Sequence, residues 1–138
     1  MIREAVEADI PMIMELGKRF ADDAGVTDMV GWEDEAVEAM LLTMIEGEHI
    51  LLVGDRGMIG GLVFGHPFSG RKVFQELFWR NEGPPMQGIR LLDMAEKLAA
   101  ERGCKRSMMF EIEAFSGAAR IYERRGYLPA ERNFIKEL

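Results

Sequence analysis

Lys72-Val-Phe-Gln-Glu-Leu-Phe-Trp-Arg80, continued by Asn81-Glu-Gly-Pro-Pro-Met-Gln-Gly88, decides how this chain is read. The first nine residues are rich in aromatic and branched side chains and predict a strand. The loop after them carries two glycines and a Pro-Pro pair, which neither a strand nor a helix interior accommodates. From Gly88 the apolar residues Leu91, Leu92, Ala95, Leu98 and Ala99 recur at helical spacing, and Gly103 ends the helix. A strand, a glycine-bearing loop and a helix N-terminus make an anion site, because free backbone N–H groups and the positive end of the helix dipole converge there. An ordinary strand–helix connection explains the spacing equally well.

Working toward the N-terminus, Pro67-Phe-Ser-Gly70 turns the chain into that strand. Met58–His66 and His49–Gly54 predict two further strands, joined by the tight turn Asp55-Arg-Gly57. Before them lies a helix from about Trp32 to Gly47, with Ala36, Val37, Met40, Leu41, Met44 and Ile45 on one face. An earlier helix, capped by Asp9 with Pro11 in its first turn, carries Ile13, Leu16, Gly17, Phe20 and Ala24 and stops at Gly25. Ile2–Val6 opens the chain as a short strand. Toward the C-terminus, Arg106–Ile112 alternates as a strand. A short helix follows from Ser116 with Ala118, Ile121, Tyr122 and Arg125 on one face, and strands are expected at 127–130 and 132–138. The order β-α-α-β-β-β-α-β-α-β-β predicts a single α/β domain over residues 1–138, three layers with a mixed sheet.

Composition narrows the function. Apolar residues are 48% and charged residues 30%, as in a globular protein. No apolar run approaches the roughly 18 residues of a membrane span, and the N-terminus lacks the apolar stretch of a secretory signal. The net charge of −7 argues against nucleic acid as a partner. A lone cysteine, Cys104, fits a reducing cytoplasm, and His49 and His66 are too isolated to suggest a metal site. No Gly-x-Ser-x-Gly or similar nucleophile motif is present.

The element order and several motifs resemble the GNAT superfamily of acyl-CoA-dependent N-acyltransferases, in the flavour of its small phage-type or bacterial members. Ile2-Arg-Glu-Ala-Val-Glu-Ala-Asp-Ile10 looks like the family's opening strand and helix start, and Gln75-Glu-Leu-Phe-Trp79 like its fourth strand. Gly88-Ile-Arg-Leu-Leu-Asp93 looks like the start of its cofactor-binding helix. Ala119-Arg-Ile-Tyr-Glu-Arg-Arg-Gly-Tyr127 looks like its late helix, with a tyrosine four residues before a glycine. The resemblance implies a mixed central sheet splayed between its fourth and fifth strands. It also implies acetyl-CoA as acyl donor, with direct transfer to an amine of a small-molecule or protein acceptor.

On that resemblance Tyr122 is the general acid and Glu76 the base that deprotonates the amine, with Glu111 and Glu113 as alternates. A base is needed, since an alkyl ammonium near pKa 10.4 costs about 4.6 kcal/mol to deprotonate at pH 7. A phenol near pKa 10 is a weaker acid than a thiol near 8.5, so Tyr122 is expected chiefly to hydrogen-bond the developing thiolate. Packing of an amphipathic helix is the other reading of Tyr122, and a solvated sheet face that of Glu76. The implied cofactor-binding residues are Phe78, Trp79 and Arg80 on the strand, Gln87, Gly88, Ile89 and Arg90 at the helix start, and Ser116, which helix capping explains equally well. Arg120, Arg124 and Arg125 are further candidates for cofactor phosphates.

One departure stands out. The family's loop is usually Gln/Arg-x-x-Gly-x-Gly/Ala, and with Gly88 at its last position the other two fall on Gly83 and Met86. Pro84 and Pro85 also remove two N–H donors. A non-catalytic GNAT-fold interaction protein, acting through a protein partner, is therefore the alternative. From Phe20 to Asp55 the chain has ten carboxylates and no lysine or arginine. The expectation is either a solvated face or an acidic surface that attracts a cationic amine acceptor. A homodimer is left open.

Overall fold

The computed structural model describes residues 1–112, 115 and 117–138. One five-stranded sheet runs in the order β1 (Arg3–Glu4), β2 (Ile50–Gly54), β3 (Gly57–Gly65), β4 (Lys72–Asn81) and β5 (Arg106–Met108). The first four strands pair antiparallel and β5 joins β4 parallel. The helices are α1 (Ile10–Asp23), α2 (Val26–Val30), α3 (Asp34–Glu46), α4 (Gln87–Glu101) and α5 (Ala118–Arg124). Among the described residues, no helix is long and apolar enough to cross a membrane.

The period-2 alternation of β2 divides the core into two layers. Leu51 and Val53 face α1 and α3, where Ile13, Leu16, Phe20, Leu41 and Met44 are buried. Ile50 and Leu52 face α4, against Leu91, Leu92, Ala95 and Ala99. The splay expected between β4 and β5 is present. Pairing covers only Val73↔Arg106, Phe74↔Ser107 and Gln75↔Met108. The Gln75 side chain marks the parting point, its Nε2 donating to the carbonyls of Met108 at 3.2 Å and Glu76 at 3.1 Å.

Three local expectations are corrected. A short helix, α2, stands between Gly25 and Gly31, both at positive φ (76° and 86°), where a residue with a Cβ would be strained. The helix expected near Trp32 starts at Asp34, whose carboxylate accepts the Trp32 indole N–H at 2.7 Å. The strands expected at 127–130 and 132–138 do not form. Pro129 cannot donate to a ladder, and Leu128 and Phe134 are 85% and 90% exposed, so neither pairing nor burial supports a strand there.

Candidate active site

The site begins with an irregularity in β4. Pairing with β3 runs Gly61↔Glu76 and then Gly60↔Phe78, which leaves Leu77 as an extra residue in a β-bulge. The bulge reverses the alternation. Phe74 packs with the α4 layer, Phe78 turns into the α1–α3 layer, and Trp79 returns to the α4 side. Glu76 therefore does not share a face with both Phe74 and Phe78, as strict period-2 alternation along β4 would require. Gly60 and Gly61 leave the room this needs: a Cβ on Gly60 would stand 2.5 Å from the Phe78 ring, and one on Gly61 2.2 Å from the Gln75 carbonyl oxygen.

Beyond Gln75, β4 has no strand partner on its β5 side among the described residues, and a cleft of about 400 Å³ opens there. Glu76, Trp79, Arg80, Phe110 and Tyr122 are among its lining residues. Glu76 and Tyr122 hold one residue between them. The Phe110 N–H donates to Glu76 Oε1 at 3.2 Å, and the Tyr122 hydroxyl donates to the Phe110 carbonyl at 3.0 Å. Side chains bridge the strands where the backbone ladder stops. Both are buried, Glu76 at 3% exposure and Tyr122 at 8%.

Burial sets the protonation of both groups. It lifts the Glu76 carboxyl to about 7, against a smaller opposing effect of the Phe110 N–H. It also raises the Tyr122 phenol, with the Glu76 charge adding to the effect. Glu76 is thus poised to exchange a proton near neutrality, whereas Tyr122 is held as a neutral hydroxyl. The Tyr122 ring lies 6.2 Å from that of Trp79 and 5.5 Å from that of Tyr127. Arg125 fixes α5 to α4 through ion pairs with Asp93 and with Glu96, the latter at 3.1 Å.

The loop after β4 is built differently from a glycine-rich cradle. Gln87 is buried, and its side-chain amide mimics a strand partner for Asp55: Oε1 accepts the Asp55 N–H at 2.8 Å and Nε2 donates to the Asp55 carbonyl at 2.7 Å. Nε2 also donates to Asn81 Oδ1 at 2.9 Å. The Gly83 N–H donates to the same oxygen, and the Gln87 N–H to the Pro84 carbonyl. Gly83 itself is required by proximity, since a Cβ there would stand 1.8 Å from the Asp55 carbonyl oxygen. The Gln87 side chain is therefore committed to holding the loop on the β2–β3 turn, a correction to its expected role toward a cofactor.

What remains for an anion is the helix start. Among the described residues, the N–H groups of Gly88 and Ile89 have no partner, and they stand in the first turn of α4. The Trp79 indole N–H donates to the Gly88 carbonyl at 3.1 Å, which ties this turn to the cleft wall. Arg90 is exposed on the same turn and borders a separate surface depression with Asp93. Phe78 is 8% exposed within the α1–α3 layer, so only its backbone can serve the cleft. Ser116 and the alternate base Glu113 lie outside the described residues; Glu111 is exposed.

The Arg80 side chain is engaged by carboxylates. Its guanidinium donates to Asp23 at 2.8 Å and to Glu82 at 2.6 Å. Glu82 also accepts from Arg19 at 2.8 Å and Arg56 at 3.2 Å. Hydrogen bonds from Arg19 above all, then from Arg80 and Arg56, hold the Glu82 carboxyl down at about 2. This network is what sequence reading missed, because its members come from α1, the β2–β3 turn, β4 and the loop that follows β4. None of the ten carboxylates from Phe20 to Asp55 lines the cleft, and Asp23 reaches its edge by pairing with Arg80.

No protein-family model matches the chain, and no curated protein matches it by sequence. Solved structures do match over its whole length. A transcriptional regulator from Bacillus halodurans C-125 aligns with 100% of this chain and 99% of its own, at TM-score 0.75 and 18% identity. AAC(6')-Iy in complex with the bisubstrate analog CoA-S-monomethyl-acetylneamine aligns with 100% and 97%, at TM-score 0.75 and 12% identity. A GNAT family acetyltransferase of Staphylococcus aureus aligns with 100% and 98%, at TM-score 0.67 and 16% identity.

Proposed function

We propose that this chain, which has the fold of the GNAT acetyltransferases, transfers an acetyl group from acetyl-CoA to an amine. The observation that carries the reading is the cleft where β4 and β5 part, with buried Glu76 and Tyr122 fixed on either side of the Phe110 peptide. The ammonium first loses one proton; its nitrogen then attacks the thioester carbonyl carbon of acetyl-CoA, and as the carbon–sulfur bond breaks the surplus proton on nitrogen passes to the sulfur, giving an amide and a free thiol. Glu76 takes the proton of the incoming ammonium, directly or through one water, which its carboxyl near 7 suits at neutral pH. Backbone N–H groups on the unpaired side of β4 past Gln75 would polarise the carbonyl oxygen. The Tyr122 hydroxyl, too weak an acid to give up its proton, would turn from the Phe110 carbonyl to hydrogen-bond the leaving sulfur. The residues present fit the donor's pyrophosphate at the Gly88 and Ile89 amides, and not along the loop before them.

Replacing Tyr122 with Phe tests the assignment. Thiol release from acetyl-CoA in the presence of amine should fall at least tenfold, with donor affinity little changed, since the hydrogen bond to the sulfur develops only in the transition state and the Phe110 carbonyl is the one resting partner lost. An unchanged rate would return Tyr122 to a packing role.

A second reading, a GNAT-fold protein that works through a protein partner without catalysis, is favoured by one observation. In the loop, Pro84 and Pro85 have no N–H, and those of Glu82, Gly83 and Gln87 are committed to the Arg56 carbonyl, the Asn81 side chain and the Pro84 carbonyl. The structural neighbour described as a transcriptional regulator is in keeping with that alternative.

A further inference from the structure

We infer that the acceptor is a singly charged primary amine borne on an aromatic or branched apolar group, and not a polycation. The inference rests on the acyl-transfer reading above and names the substrate class of that site. The cleft is walled from both core layers. Phe20, Ile112 and Phe115 belong to the α1–α3 side, where the Phe20 and Phe115 rings lie 5.9 Å apart, while Trp79 and Ile121 belong to the α4 side. The donor's phosphates are drawn to the start of α4. An acceptor reaching Glu76 from the opposite side meets the apolar wall of Phe20, Ile112 and Phe115.

Charge points the same way. Among the described lining residues, the acidic and basic side chains are Glu76, Arg80 and Glu82. Arg80 is neutralised by Asp23 and Glu82, and Glu82 is shared by three arginines. Among the described lining residues that leaves Glu76, whose described hydrogen-bond partner is a neutral peptide N–H, as the one carboxylate free to meet a cation. One carboxylate accommodates one ammonium. A second or third ammonium, as in a polyamine, would be held against phenyl rings and the arginine side of the network, losing hydration without an anion in return. An apolar group there gains by leaving water, roughly ten- to a hundredfold in affinity for a phenyl ring.

The test compares phenethylamine, propylamine and spermidine as acceptors at saturating acetyl-CoA, following thiol release. In parallel, saturation-transfer NMR reads phenethylamine binding to the chain in the presence of CoA, independently of turnover. Phenethylamine should exceed the other two in kcat/KM by at least tenfold. Phe115→Ala, or Ile112→Ala if the first does not fold by circular dichroism, should narrow the phenethylamine/propylamine ratio. Equal or better use of spermidine or propylamine, with acetyl-CoA consumed, overturns this inference and leaves acyl transfer standing. Failure of all three amines together with no binding of acetyl-CoA overturns both.

Discussion

Glu76→Gln should lower kcat/KM by about 10²- to 10⁴-fold while leaving acetyl-CoA affinity unchanged, the span expected for loss of a general base. The substitution preserves shape, and the amide oxygen can still accept the Phe110 N–H that Glu76 holds at 3.2 Å. It removes only the proton acceptor. In the wild type the rate should rise with pH to a plateau with a midpoint near 7, where burial places the carboxyl. The residual rate of the variant should not show that limb.

Stability should respond in the opposite sense. A carboxyl raised from 4.5 to about 7 binds its proton more tightly in the folded state. Its contribution is fully present below 4.5 and is lost as pH rises through 7, by about 3 kcal/mol at 1.36 per unit. Wild-type Tm should therefore decline between pH 5 and 8 relative to Glu76→Gln. If the two melting curves track each other across that window, the carboxylate is not paying a burial cost and the base assignment loses its footing.

Gly88→Glu should abolish acetyl-CoA binding without harming the fold. A Cβ at Gly88 would meet the Asn81 side chain at 3.5 Å, an ordinary contact. An acid in the first turn of α4 favours the helix, because it sits at the positive end of the dipole. The same charge stands where the phosphates need the Gly88 and Ile89 N–H groups. The variant should melt at or above the wild-type temperature and give no heat with millimolar acetyl-CoA. Gly88→Ala, which adds the Cβ and no charge, should bind close to wild type. If the glutamate variant binds as well as wild type, the anion end of the cleft lies elsewhere.

The scaffold was legible in the sequence because its signals are local. The apolar stripes of α1, α3 and α4, and the turn between β2 and β3, follow from residues a few positions apart. The splay was expected from resemblance, and the three-residue pairing of β4 with β5 agrees with it. What escaped depends on distant partners. The Leu77 bulge exists only in register with Gly60 and Gly61, and it moves Phe78 to the other layer. Gln87 reads as a phosphate ligand until Asp55, 32 positions away, claims its side chain. The pairing of Arg80 with Asp23, 57 positions away, is likewise invisible in the sequence. The two C-terminal strands were a failure of local pattern, where short segments without a partner or a buried face did not form a ladder.

Calorimetric titration of the wild-type chain with acetyl-CoA bears most directly on the acyl-transfer reading. Each charge-assisted hydrogen bond absent from the loop costs about 1.5–3 kcal/mol, so losing one weakens binding by roughly ten- to a hundredfold relative to a full glycine-rich cradle. Two free amides at the start of α4 should still hold the pyrophosphate. The predicted result is saturable heat with a Kd on the order of tens to hundreds of micromolar. Neither heat nor thermal shift at millimolar acetyl-CoA would contradict the acyl-transfer account and leave the interaction protein as the reading of this fold.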